Sequence, residues 1–389
     1  MAVNTMAIED VYALINSLHE QATGQRTIQA TDTSSFISVA NSALRAGVEP
    51  VYNAMMQTIG RTIFSVRPYE AKFKGIQADA VRWGGIVRKI SLADRPLTED
   101  KVYHGHVDGQ SIDQYAIRKS NVLEMRYFGS DVYEDWYTVY ETQIRSAFSG
   151  PEQLGSFVAL QAQTMDNKWE QYREELVRSN LANFIGAKVA LNNGVIHLLT
   201  EYNAQTGLTL TAQDIYKPDN MADFFRWVRA RINTLARRMA ERSQIYQVQV
   251  TGKEISRHTP ADRLKIYLAA DALDQIDAMV NTITFHNEPL AYADVEGVSY
   301  WQAIQNPMAV NVTPAYIGSD GTVTEGEAQS VGNVFGVMFD EDAIAYSVKD
   351  YSVLNTPMNA RGRYINTFLS ANIQEMQDLT EKGIILLLD

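Results

Sequence analysis

The stretch "GVMFDEDAIAY", Gly336 to Tyr346, sets Asp340, Glu341 and Asp342 in succession after an apolar run. Three carboxylates in one place could ligate a metal, or supply half of an acid/base pair. A calcium loop, however, needs oxygens at alternating positions, a glycine at the turn and a distal glutamate. That spacing is absent, and consecutive residues of a helix point in different directions. The remaining reading is punctuation. Asp340 can cap the backbone N–H groups of a following turn, and Glu341 and Asp342 then sit where the helix dipole favours acids. The sequence therefore predicts a short helix beginning at Asp340.

Other candidates for chemistry are thinner. His104 and His106 in "HGH" would share a face on a strand and could bind a metal together. No third ligand is evident. With a nearby acid they would make a metal-dependent hydrolase, which is the enzymatic alternative. His19, His197, His258 and His286 are scattered without pattern. Asp271, Asp274 and Asp277 fall at i, i+3, i+6 on one predicted helix: a solvated face, with subunit contact as the alternative. Arg226, Arg229 and Arg237 flank one shoulder of an apolar stripe, and Arg231, Arg238 and Arg242 the other. Such arginines snorkel at the rim of a packed interface. The phosphate-loop, dinucleotide, zinc-protease and nucleophile-elbow signatures are all missing, and "TGKEIS" lacks the upstream glycine. No catalytic residue, cofactor or metal is expected, and the missing signatures weigh against an enzyme.

Composition agrees. The chain has 389 residues, 46% of them hydrophobic, enough for two or three domains. Its net charge is −12, which disfavours coating nucleic acid because phosphates are repelled. There is no cysteine, so disulfides, zinc–thiolate sites and thiol nucleophiles are excluded. The first residues have neither a basic start nor an apolar core, and no run approaches a membrane span.

The elements that must position these residues form an α+β pattern. Val11, Leu14, Ile15 and Leu18 mark a short helix over 8–20, and two more short helices are expected at Ser35–Arg45 and Pro50–Thr62. Their apolar faces are small, so this arm should need another surface to lie on. "IVRKISL" and "NVLEMRYF" read as the strands of a long hairpin, itself too poor in apolar surface to fold alone. A helix of roughly 60 Å is predicted over 151–191, with Ser149 as N-cap and "NNG" as its stop. Phe224, Val228, Ile232, Leu235 and Met239 define the arginine-flanked amphipathic helix, "IYQVQV" a strand after it, and "PADRLKIYLAADALDQIDAMV" a strand and a helix. Residues 286–330 are rich in loops. "VFGVMF", "INTFLSANIQEM" and "GIILLL" are strands, the last apolar on both faces and hence central in a sheet.

This order of parts, together with "GVMFDEDAIAYSV", "NARGRYINTF", "DLTEKGIILLLD" and "GGIVRKISL", resembles the major capsid proteins of tailed bacteriophages with the Hong Kong 97-type fold. The resemblance implies an N-terminal arm (1–62), an extended β-hairpin loop (63–130), a peripheral domain with a long spine helix (131–195), an axial domain (196–330) and a return to the peripheral domain (331–389). It implies hexamers and pentamers closing into an icosahedral shell around double-stranded DNA. The partners would be the chain itself, a separate scaffold, a portal and decoration proteins, without sequence-specific DNA contact and without membrane. Intersubunit contacts are expected from Arg88, Lys101, Arg118, Arg126, Arg226, Arg229, Arg237, Asn359 and Arg361. Some members crosslink a loop lysine to an asparagine, and Lys101 and Asn359 lie in comparable regions. Within the same fold the alternative is a bacterial compartment shell of encapsulin type; a portal or tail subunit is another.

Overall fold

The computed structural model describes residues 8–23, 29–48, 51–53, 86–92, 122–128, 130–247, 255–281, 294–318 and 320–389, with single positions 73, 76, 108, 109, 111, 115, 117 and 119. They fall into two compact units. The first comprises Met1–Lys72, Ser130–Glu175 and Ser347–Gln374. The second comprises Phe73–Gly129, Leu176–Tyr346 and Glu375–Asp389.

In the first unit, α1 (Ile8–Thr23) and α2 (Thr33–Ala46) pack as a pair. Asp32 caps α2 by accepting from the Ser35 N–H at 2.7 Å, while the Ser35 hydroxyl takes the Asp32 N–H in return. The other surface that this arm is expected to need is supplied within the same unit. Val11, Leu14, Ile15, Leu18, Phe36, Val39, Ala43 and Val51 join one core with Val139, Ile144, Ile365 and Leu369. The buried Tyr52 hydroxyl bonds that of Thr367 at 2.9 Å. Of the helix expected over Pro50–Thr62, residues 51–53 are described and helical; the rest lies outside the described residues. A three-stranded sheet, ordered β12 (Ile344–Asn355), β13 (Tyr364–Gln377), β3 (Asp131–Tyr140), closes this core, with β13 and β3 antiparallel from Tyr364↔Tyr140 to Ile373↔Asp131.

After the short α3 (Glu141–Ala147) comes α4 (Pro151–Ala190), 40 residues without a break. Ser149 does not cap it. The Ser149 hydroxyl donates to the Ser146 carbonyl at 2.7 Å, turning it toward the preceding turn. Asn192 at φ 47° and Gly194 at φ 77° end the helix, as "NNG" predicts.

The second unit is built on a five-stranded sheet in the order β4 (Val195–His197), β14 (Gly383–Leu387), β11 (Val334–Asp340), β5 (Leu264–Ala269), β6 (Asp294–Val298). Every residue of β14 is buried, in accord with its two apolar faces. On one side of this sheet lie α5 (Leu198–Thr206), α6 (Pro218–Ala240) and α7 (Ala270–Asn281), sharing a core with Leu264, Met338, Ile384 and Leu386. The predicted stripe of α6, Phe224 to Met239, is fully buried. Short strands β7 (Val310–Val312), β8 (Ala315–Ile317), β9 (Val323–Glu325) and β10 (Gln329–Val331) occupy the loop-rich region.

Two expectations meet differences here. Of the strand expected over "IYQVQV", residues 245–247 form a turn, and the rest lies outside the described residues; Tyr246 has φ 67°, outside the extended region, and its carbonyl accepts two hydrogen bonds. The acids at 340–342 do not start a helix. Asp340 ends β11, the Ala343 N–H closes a turn on the Asp340 carbonyl at 2.8 Å, and β12 begins at Ile344. The Asp340 side chain accepts from the Asp342 N–H at 3.0 Å, the local bond by which aspartate builds a turn as readily as a cap. The burial of Ile344 and Tyr346 on alternate positions decides for the strand.

Candidate functional site: the charged anchor of the hairpin

Strands β1 (Ile86–Leu92) and β2 (Val122–Phe128) form the predicted antiparallel hairpin, with Arg88 opposite Arg126 and Lys89 opposite Met125. Alternation gives it two unlike faces. On one, Leu123 and Met125 are buried and Lys89 reaches inward. On the other, Ile90, Leu92 and Val122 stay 60%, 64% and 47% exposed.

The inward face is held by the "DLTEKG" motif. Lys89 Nζ sits 2.7 Å from Asp378 Oδ2 and 2.6 Å from Glu381 Oε1. Arg257 adds a second cation, 3.1 Å from the same Glu381 oxygen, and donates to the Ser91 hydroxyl at 2.9 Å. Asp378 is fixed by the Thr380 N–H at 2.8 Å and by the Thr380 hydroxyl. Burial alone would lower Lys89, but the two carboxylates outweigh it and raise its pKa. Burial raises Glu381 despite Lys89 and Arg257, and raises the Tyr127 phenol, which Asp378 and Glu381 push further up. A charge group this enclosed is expensive to break from one side.

Two lysines complete the anchor from below. Lys188, on α4, is fully buried and donates to the carbonyls of Tyr246, Leu379 and Glu381 at 3.2, 3.4 and 3.3 Å. Burial pushes its pKa down to about 7, against the pull of Asp378 and Glu381. Lys382 donates to the carbonyls of Arg238, Met239 and Glu241 and to the Ser243 hydroxyl, satisfying the orphan acceptors at the end of α6. Gly383 follows because a Cβ there would run into the Phe184 ring. The motif thus ties hairpin, α4, α6 and central sheet together with backbone and charge.

Among the residues expected at subunit contacts, Arg88 and Arg126 come together: both donate to Glu124 Oε1 at 2.7 Å, and these bonds bring that carboxyl down to about 2. Arg226 is exposed and 3.1 Å from Asp223; Arg229 is half-buried; Arg237 is exposed. Asn359 builds its own turn, accepting from the N–H groups of Arg361 and Gly362 at 3.1 and 2.7 Å, and leaves Arg361 exposed. Lys101, Arg118, His104 and His106 lie outside the described residues. Sequence reading missed Lys188 and Arg257. A lysine inside "FIGAKVA" was the available signal for the first; nothing local marks the second. It also missed Arg263, which lies 3.5, 2.9 and 2.5 Å from Asp340, Glu341 and Asp342 and draws the acid triplet around one cation.

The family model for the Phi29-like phage major capsid protein matches residues 13–373. The chain belongs to that family. Two solved structures share the fold. One is the capsid structure of Staphylococcus phage Andhra, with TM-score 0.50 and 10% identity over 83% of this chain and 86% of that one. The other is the structure of head fiber and inner core protein gp22 of native bacteriophage P68, with TM-score 0.51 and 9% identity over 82% and 85%. No curated protein matches the sequence. As a phage major capsid protein the chain is a structural, non-catalytic component of the virion head shell, and its partner is first of all itself.

Proposed function

We propose that this capsid protein has the Hong Kong 97-type fold and closes, as hexamers and pentamers, into an icosahedral shell around the double-stranded DNA of a tailed phage. In this reading residues 1–62 are the N-terminal arm and 63–130 the extended loop. Residues 131–195 and 331–389 form the peripheral domain, and 196–330 the axial domain around each ring's axis. A separate scaffold, a portal and decoration proteins would complete the particle. A net charge of −12 suits a wall that must not cling to the DNA it contains.

One observation carries this reading. The hairpin is clamped on one face by Lys89, Asp378, Glu381 and Arg257, while its other face leaves Ile90, Leu92 and Val122 in water. Three exposed apolar side chains side by side, flanked by the Arg88–Glu124–Arg126 charges on the same face, make an interaction surface or an aggregation hazard. Burial on a neighbouring copy removes the hazard, and closed symmetry removes it for every copy.

Negative-stain microscopy of the expressed chain, with and without a scaffold protein, should reveal shells, tubes or capsomer rings. The double variant Ile90→Asp, Leu92→Asp should melt like the native chain yet stay unassembled. A native chain that remains a monomer at high concentration under both conditions overturns the reading.

A further inference from the structure

The hairpin is not the only surface that the fold leaves without use. In the second unit, α6 and α7 lie side by side on the same sheet face; α6 turns mainly arginines outward and α7 a row of aspartates. On α6 the buried stripe runs from Phe224 to Met239, and Arg226 and Arg237 stand exposed beside it. They are eleven residues apart, close to three full turns, so their side chains leave the helix in nearly the same direction about 16 Å apart. On α7, Ala272 and Ile276 are buried and Asp271, Asp274 and Asp277 are exposed, at intervals of about 4.5 Å along the axis.

Neither row is explained by its own helix. Arg226 has only an exposed pair with Asp223, a contact of little worth. Arg237 has no ion pair among the described residues, and the helix-end carbonyls that a last-turn cation would serve are already taken by Lys382. Asp271 suits the first turn of α7, but Asp277 lies in its second half, where the dipole disfavours an acid, and the last turn holds no basic residue to offset it. Asp274 and Asp277 likewise have no ion pair among the described residues.

We infer that the Arg226–Arg237 row of one copy docks against the Asp274–Asp277 row of α7 in the next copy around a ring. A second copy is the occupant that uses both rows. An anionic partner would engage the arginines alone and leave the aspartates unexplained. Copies carrying −12 each repel one another at long range, so contact between them calls for local regions of opposite sign. A head-to-tail contact of this kind generates a closed ring where its rotation closes. The inference rests on the shell reading and names the surfaces by which ring neighbours choose each other.

The test uses two full-length variants, Arg226→Glu with Arg237→Glu, and Asp274→Lys with Asp277→Lys. Each alone should melt like the native chain and form no rings, because each carries two patches of the same sign. Mixed in equal amounts they should assemble again, one variant alternating with the other. Alternation closes only in even-membered rings, so the mixture should give hexameric rings, sheets or tubes and few pentamer-closed shells. The chain with all four substitutions should close shells. Native assembly should weaken as salt rises from about 0.05 to about 0.5 M. Either variant assembling alone like the native chain, or a well-folded mixture that stays unassembled, overturns the inference and leaves the shell reading intact. A native chain that never assembles overturns both.

Discussion

At the scale of single residues, Lys188 makes the sharpest prediction. Its ammonium is enclosed by three carbonyls, and burial brings its pKa from 10.5 to about 7. An unfolded chain keeps that proton up to the ordinary lysine range. Between pH 7 and 10.5 the unfolded state therefore binds more protons than the folded one, and stability rises with pH by at most about 1.4 kcal/mol per unit from this group. The contribution is complete above 10.5 and is lost as the pH falls through 7. Urea melts of unassembled native and Lys188→Met chains across this range should diverge upward for the native protein; parallel curves would refute the assignment. The sequence announces some of these residues and hides others. "DLTEKG" stands out as a motif, yet its chemistry depends on Lys89, Lys188 and Arg257, which reach it from distant parts of the chain. No local pattern records a contact of that range.

At the scale of elements, periodicity was the reliable guide. The stripe of α6, the length of α4 and the two apolar faces of β14 are all legible, because each is dictated by which side must be buried. The acid triplet misled, since aspartate satisfies backbone N–H groups equally well in a helix cap and in a tight turn. What separated the two was the alternation in "IAYSV" and a cation, Arg263, placed 77 residues earlier in the chain, which a reading of neighbours does not supply. Arg263→Ala should loosen the turn between β11 and β12. Arg263 is partly exposed, so the screened cost is about 1 kcal/mol. The penalty should shrink at high salt, which screens partly exposed ion pairs. A penalty that does not change with salt would argue that the guanidinium acts by packing alone.

At the scale of the whole molecule, the second unit is firmest at its central sheet and most exposed along its hairpin. Hydrogen exchange should reflect this order. Amides of β14 should be protected in the free chain and in assembled particles alike, while those of β1 and β2 should slow markedly only on assembly. Equal protection of the hairpin in both states would mean that its open face is never covered. The placement of β14 also bears on synthesis. It lies between β4 and β11 and is the only sheet neighbour of β4 among the described residues. β14 is made after the strands on both sides of it, so the nascent sheet waits with a slot in its middle. Asp378 and Glu381, which clamp the hairpin, are made just before it. A product cut short ahead of Asp378 therefore lacks both its keystone and the grip on its hairpin, and synthesis withholds the finished sheet until this stretch has been read.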